Sequence, residues 1–239
     1  TEIPEADMIE YLRREEVPVA DGQIQVPSWR PDLRCMADIA EEVARYYGYN
    51  KIETTLMRGT TTRGGYSETA MLENQAGAAA RSLGYSEIIT YSFVSPASFD
   101  AVRIPKDSPL RKTLKLVNPL GEDTSIMRTI ILPSMLDILS RNYAMKNKGV
   151  KLYELGRVYL PVDGQELPEE PRHLIFGTYG EHENFFTMKG EIDALLQLLN
   201  VKPAEYVANR ENPSYHPGRC ADILIDGKLA GTIGQIHPL

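Results

Sequence analysis

The chain has 239 residues, a formal net charge of −7 at pH 7 and an isoelectric point of about 5.2. Its composition is that of a globular protein, and the length allows one large or two smaller domains. The acidic balance argues against nucleic-acid binding through a broad basic surface. No apolar run approaches the ~20 residues that a membrane helix needs.

The two cysteines lie far apart and in no Cys-x-x-Cys arrangement, which argues against a zinc site and a disulfide framework. Idle thiols are typical of a reducing compartment, so a cytoplasmic location is expected. The chain opens at Thr1 without an initiator Met. We therefore expect it to be a piece of a longer protein.

Residues 1–57 predict a small domain of helices and strands. A helix is expected over 4–14, and an alternating strand over 23–26 follows a turn. Asp32 follows a proline and precedes a helical apolar pattern, so it is predicted to be the N-cap of a second helix. Gly48 is placed to end that helix.

A linker is expected over 58–66, because this stretch has no hydrophobic period, and a second domain over 67–239. Helices and strands mix there without regular βαβ alternation, so the expected fold class is α+β, a mainly antiparallel sheet flanked by helices. The pattern predicts helices over 67–83, from Pro133 onward and over 188–199, strands over 88–94, 114–117, 150–160 and 173–179, a tight turn at 216–219 and a hairpin over 221–236.

Four carboxylates in one short stretch are the strongest chemical signal, namely Asp32, Asp38, Glu41 and Glu42. Oxygen ligands of this kind suit a hard cation such as Mg²⁺. Asp38, Glu41 and Glu42 share one helix face, whereas Asp32 would have to reach in from the loop. The alternative is a solvated helix face, with Asp32 as a cap and Glu41 paired with Arg45.

Motifs along nearly the whole chain resemble the β subunit of bacterial phenylalanine–tRNA ligase. Val-Pro-Ser-Trp-Arg-Pro-Asp (26–32) and residues 38–49 look like the end of that subunit's B5 domain. The matches to its class II synthetase-like core lie at 84–94, 118–120, 122–129, 132–133, 153–159, 167–174 and 216–219. The resemblance covers the middle and later part of the subunit only, without its N-terminal tRNA-binding-type and editing domains or its C-terminal anticodon-binding domain.

The resemblance implies a cytoplasmic α2β2 heterotetramer that uses ATP to attach phenylalanine to tRNA(Phe). It implies that the β-subunit core is a degenerate, non-catalytic copy of the class II fold that supports the α subunit, where ATP binds. It also implies that Mg²⁺ is held by Asp32, Asp38, Glu41 and Glu42, which match the family's acidic positions one by one.

No catalytic residue is expected in this chain. Class II synthetases steady the reacting phosphate with arginines in two signature motifs, one of them a glycine-rich stretch ending in Arg, and the chain has no such stretch and no Walker A segment. Arg128 and Arg157 are the remaining candidates for substrate-binding positions, with structural salt bridges as the alternative. An autonomous nucleic-acid-binding module is the competing functional hypothesis, and the acidic balance counts against it. A free-standing ligase is the third.

Overall fold

A computed structural model describes residues 1–238, which divide into two units, Thr1–Gly64 and a second that begins at Gly65. The elements of unit 1 are α1 (Glu5–Arg14), β1 (Val19–Ala20), β2 (Gln23–Ile24) and α2 (Met36–Tyr47). The two strands form an antiparallel hairpin. The apolar stripes of the two helices meet in a small core made by Leu12, Val17, Leu33, Ile39 and Val43.

The second helix of unit 1 begins later than the sequence predicts, because Cys35 rather than Asp32 is its N-cap. The carboxylate of Asp38 accepts hydrogen bonds from the backbone N–H groups of Arg34 (2.7 Å) and Cys35 (2.8 Å). A side chain inside the first turn thus satisfies donors at the helix start. The prediction for Asp32 was wrong, whereas Gly48 ends α2 as predicted, with a φ of 102° that suits glycine.

Unit 2 combines four helices with eight strands within the described residues. The helices are α3 (Glu68–Ser82), α4 (Ser98–Ala101), α5 (Leu132–Ala144) and α6 (Phe185–Leu198). The strands are β3 (Ser86–Glu87), β4 (Phe93–Val94), β5 (Ile126–Met127), β6 (Val150–Arg157), β7 (Arg172–Tyr179), β8 (Glu205–Ala208), β9 (Tyr215–Ile225) and β10 (Lys228–Ile236). Between residues 1 and 238, no helix is both long and apolar enough to cross a bilayer.

The strands of unit 2 form three small sheets, in the orders β3-β6-β7, β10-β9-β8 and β4-β5. Among the paired strands described, β3 and β6 run parallel, whereas the other pairs are antiparallel. The predicted α+β class with a mainly antiparallel sheet is therefore confirmed. Within residues 1–238 there is no regular βαβ alternation of a doubly wound sheet, in agreement with the sequence pattern.

Strands β6 and β7 present two different faces, because successive side chains point to opposite sides of a sheet. Tyr153 lies fully buried on one face, in a cluster with Ala80 of α3 and Tyr85. Helix α5 packs on the other face, where a Cβ at Gly177 would lie only 2.7 Å from the sulfur of Met135. Glu154, the neighbour of Tyr153, therefore belongs to the α5 face.

Two predicted strands are much shorter in the structure. Of residues 88–94 only β4 is a strand, and residues 114–117 contribute the single bridge Lys115↔Ile126. Both segments run beside β5 and form individual backbone hydrogen bonds with residues 125–128. Their β-forming residues signalled extended backbone correctly, but the facing strand is too short to build a ladder.

Residues 216–219 were predicted to form a turn, and this was wrong because they lie within β9. A proline is tolerated at position 217 since β8 pairs with β9 only from Ala221 onward, which leaves Pro217 without a ladder partner on that side. On the other side, the register with β10 shifts between Gly234 and Ile236. The irregular pairing accommodates the missing N–H group.

Candidate functional site

Two of the four predicted magnesium ligands are held by one arginine. Arg30 Nη2 lies 2.7 Å from Asp32 Oδ2 and 2.9 Å from Glu42 Oε1. The second oxygen of Glu42 accepts a hydrogen bond from Arg45 Nη2 at 2.5 Å. Hydrogen bonding to Arg30 lowers the pKa of the Asp32 carboxyl, so this group stays ionised at neutral pH.

The other two predicted ligands are not part of this arrangement. One carboxylate oxygen of Asp38 accepts the two backbone hydrogen bonds at the start of α2, which lower the pKa of that carboxyl. Glu41 is exposed, and its carboxylate forms no ion pair with any residue between 1 and 238. The alternative pairing of Glu41 with Arg45 is also not seen, because Arg45 pairs with Glu42.

The geometry of these side chains does not assemble a magnesium ligand set. Within residues 1–238 no group of three or more His, Cys, Asp and Glu side chains is placed to hold a metal ion. Asp32 and Glu42 could share an ion only if Arg30 moved away from both. The magnesium assignment of the four acids therefore stays a prediction that rests on the resemblance alone.

One further carboxylate belongs to this cluster and was missed by sequence reasoning. Glu15, the C-cap residue of α1, forms ion pairs with Arg30 (3.2 Å) and with Arg45, and its side chain is only 5% exposed. No pattern marks Glu15, because it is one of several charged residues at the end of an amphipathic helix. Only the packing of α1 against α2 brings it to the arginines.

In unit 2, the candidate substrate-binding residue Arg128 is buried and fully engaged. Its Nη2 lies 3.0 Å from Glu154 Oε1, its Nη1 donates to Thr90 Oγ1 at 2.7 Å, and its Nε donates to the carbonyl oxygen of Arg157 at 2.8 Å. The Thr90 hydroxyl donates in turn to Glu154 Oε2 at 2.7 Å. The side chains of Arg128 and Glu154 are 3% and 4% exposed.

This network closes on itself, which decides what Arg128 can do. Each guanidinium nitrogen has an internal acceptor, the positive charge is neutralised by a buried carboxylate, and the side chain is only 3% exposed, so this arginine is poorly placed to bind a phosphate. The structure thus supports the salt-bridge alternative for Arg128.

Arg157, the second candidate, contributes its carbonyl oxygen to the network, but its side chain does not join it. Strand alternation directs this side chain to the face of β6 opposite Glu154, where it pairs with Glu170 at 3.1 Å. The two arginine side chains therefore do not converge on one point.

A cavity of about 580 Å³ lies between α3, β6, β7 and the end of α6. Its lining is mostly apolar, with two arginines on its wall. Arg157 pairs with Glu170, and Arg172 pairs with Glu73 at 3.2 Å, so each positive charge has a carboxylate beside it. The cavity consequently offers no unpaired arginine to an anion.

The fold is that of the tRNA synthetases of class II type. Two solved structures of pyrrolysyl-tRNA synthetase from Desulfitobacterium hafniense are similar to it, with TM-scores of 0.54 and 0.56 at 12% and 14% sequence identity. They cover 97% and 98% of this chain, which covers 79% and 80% of theirs. At such low identity the likeness shows the fold alone.

The chain belongs to the phenylalanyl-tRNA synthetase β chain family. The family model "Phenylalanyl tRNA synthetase beta chain CLM domain" matches residues 52–239, and "tRNA synthetase B5 domain" matches residues 1–49. Proteins named phenylalanine–tRNA ligase β subunit are 42% identical in Clostridium tetani and 40% identical in Clostridium acetobutylicum, over 100% and 99% of this chain. The resemblance seen in the sequence is confirmed. The chain spans 31% and 30% of the length of those two relatives.

Proposed function

We propose that this chain is part of the β subunit of a cytoplasmic phenylalanine–tRNA ligase and acts as a non-catalytic scaffold. The partner is a catalytic α subunit in an α2β2 assembly that uses ATP and Mg²⁺ to attach phenylalanine to tRNA(Phe). The names of the relatives support the enzyme and the subunit. The division of labour is supported by the chemistry of the side chains in unit 2.

The state of Arg128 carries the proposal. Amino-acid activation needs fixed positive charge where negative charge develops on the α-phosphate of ATP. Arg128 donates to Glu154, to Thr90 and to a backbone carbonyl, and it is buried. A guanidinium in this environment stabilises the fold and cannot also stabilise a transition state.

An exposed apolar strip is the surface we assign to the partner. Along the extended segment 88–94, Ile89 and Tyr91 are 90% and 85% exposed, whereas Thr90 between them bonds inward to Glu154. Four small residues of α3, by contrast, are buried within unit 2 and are not free for a partner, namely Ala76, Gly77, Ala79 and Ala80. Large exposed apolar side chains on neighbouring positions are typical of protein interfaces.

The proposal is tested by measuring ATP–pyrophosphate exchange with the chain alone and with an added α subunit. A suitable one is the α subunit from Clostridium tetani, the organism of the 42% identical β subunit. We expect no phenylalanine-dependent exchange by the chain alone and retention of the chain on immobilised α subunit. Ile89→Glu should weaken retention, whereas Leu229→Glu, another exposed apolar position, should not. Exchange by the isolated chain would refute the scaffold role and favour a free-standing ligase.

The nucleic-acid-binding hypothesis makes a different prediction. It requires salt-dependent gel shifts of nucleic acid by the chain alone, since phosphate contacts release counterions. A net charge of −7 gives little support for such binding. We therefore expect no shift at physiological salt, and a strong one would favour the binding module.

A further inference from the structure

The nearly buried carboxylate of Glu15 is the starting point. A carboxylate removed from water is stable only when a cation or several hydrogen bonds replace its hydration. Glu15 is 5% exposed and receives Arg30 Nη1 on one oxygen and Arg45 on the other. Each oxygen of the Glu15 carboxylate is therefore paired with a guanidinium group from elsewhere in unit 1.

Arg30 also connects three separate segments of unit 1. Its three nitrogens reach Glu15 at the end of α1, Asp32 in the loop and Glu42 on α2. Arg45, one turn along α2 from Glu42, pairs with Glu15 and Glu42. Planar, permanently charged guanidinium groups suit such multiple contacts better than lysine does.

We propose that Arg30 and Arg45, rather than a divalent cation, neutralise the acidic cluster of unit 1 and fasten α1 to α2. We call Arg30, Arg45, Glu15, Asp32 and Glu42 the arginine clip. The inference concerns unit 1 alone and does not depend on the proposed function.

The clip and a magnesium ion compete for the same oxygens. Mg²⁺ requires near-octahedral oxygen ligands at about 2.1 Å and gives up its water reluctantly. To reach Asp32 and Glu42 together, it would displace Arg30 from both carboxylates and then stand beside that positive charge. Such a displacement adds cation–cation repulsion, because Arg30 would still be held near the site by Glu15.

Two glutamates distinguish the clip from a magnesium site. Glu15 belongs to the clip but not to the four predicted ligands, whereas Glu41 belongs to the predicted ligands but not to the clip. The same Glu→Gln change at each position therefore gives a matched pair. A clip makes Glu15 important and Glu41 dispensable, and a magnesium site makes the opposite prediction.

The experiment is thermal unfolding of the 239-residue chain followed by tryptophan fluorescence. Trp29 is the only tryptophan of the sequence, is 63% exposed and precedes Arg30, so it reports on unit 1. Each protein is measured in about 10 mM MgCl2 and in NaCl of equal ionic strength, which separates magnesium binding from screening. Circular dichroism checks that unit 2 is folded in every variant.

We expect Glu15→Gln to lower the Trp29 midpoint by about 5–10 °C, the shift that loss of one or two good interactions gives in a domain this small. Glu41→Gln should leave the midpoint within about 1 °C, and MgCl2 should not raise the midpoint of the wild type. The inference is overturned if MgCl2 raises the wild-type midpoint, Glu41→Gln removes that gain and Glu15→Gln unfolds like the wild type.

Two further measurements decide the matter even if Glu15→Gln fails to fold. Arg30→Lys keeps the positive charge but loses the planar guanidinium with its several N–H donors, so it should lower the Trp29 unfolding midpoint. Arg13→Lys, on the exposed surface of α1, should leave that midpoint unchanged. Calorimetric titration of the wild type with MgCl2 should give no saturable heat. A saturable heat that disappears in Glu41→Gln would overturn the proposal.

Discussion

The substitution Glu154→Gln tests the buried network of unit 2 most directly. The change preserves the shape of the side chain but removes the negative charge that neutralises Arg128. Breaking a buried ion pair by removing one partner typically destabilises by 3–5 kcal/mol, because the other charge stays buried. The amide oxygen that replaces the carboxylate can still accept one hydrogen bond from Arg128 or Thr90, so we expect about 3 kcal/mol, the lower end of that range.

That loss corresponds to about a hundredfold smaller folding equilibrium constant for unit 2. Urea unfolding followed by far-UV circular dichroism measures it, because the only tryptophan lies in unit 1. The matched control is Glu170→Gln, which breaks the half-exposed pair with Arg157 and should change stability by at most about 1 kcal/mol. Equal midpoints for Glu154→Gln and Glu170→Gln would refute the reasoning. A joint Arg128→Met, Glu154→Leu variant should recover much of the loss, since no buried charge remains.

Three further outcomes follow from packing, titration and helix capping. Gly156→Ala places a Cβ within 2.5 Å of the Arg128 guanidinium and should destabilise by about 1–3 kcal/mol in urea unfolding, whereas Gly190→Ala, with nothing within 4 Å, should not destabilise. Burial raises the pKa of Tyr215 from 10.0 to about 12, so the unfolded chain loses this proton at lower pH than the folded chain does. The free energy of unfolding therefore falls between those pH values by an amount on the order of 2 kcal/mol. Tyr215→Phe should reduce that alkaline decline, and an unchanged slope of stability against pH would contradict the prediction. Asn184→Ala removes the acceptor for two backbone N–H groups at the start of α6 and should cost about 1 kcal/mol, seen as faster amide exchange in that turn but not in α5.

Local patterns predicted elements well where the chemistry is local. Gly48 ends α2, and the helix predicted over 67–83 is α3, which Ser67 caps, because the backbone conformation and the free N–H groups at helix ends call for these residue types. The helical stripes and the Asp226-Gly227 hairpin followed from periodicity and turn chemistry in the same way. Periodicity could not show that β9 starts before Pro217, since that depends on which stretches of β9 its neighbours pair with.

The candidate site was less predictable because its residues are distant in sequence. The sequence pointed to Asp32 and Glu42, but their shared partner Arg30 was seen only as part of a family motif. Glu15 reached the cluster through the packing of α1 on α2. Arg128 was singled out as a candidate substrate-binding position with a salt bridge as the alternative, and its burial against Glu154 could be seen only with the register of β6. Sequence-spacing rules identify neighbours within one helix or strand, but they do not identify contacts between residues from three different segments.

The buried pair of Arg128 and Glu154 also sets a condition on any attempt to introduce a phosphate site at this position. Freeing the guanidinium by removing Glu154 strands a cation in a dry interior, and removing Arg128 strands an acid there instead. Either single substitution on the way to an open phosphate site would therefore give a poorly folding variant. Introducing phosphate binding here would therefore require replacing both members of the pair together and opening the site to water.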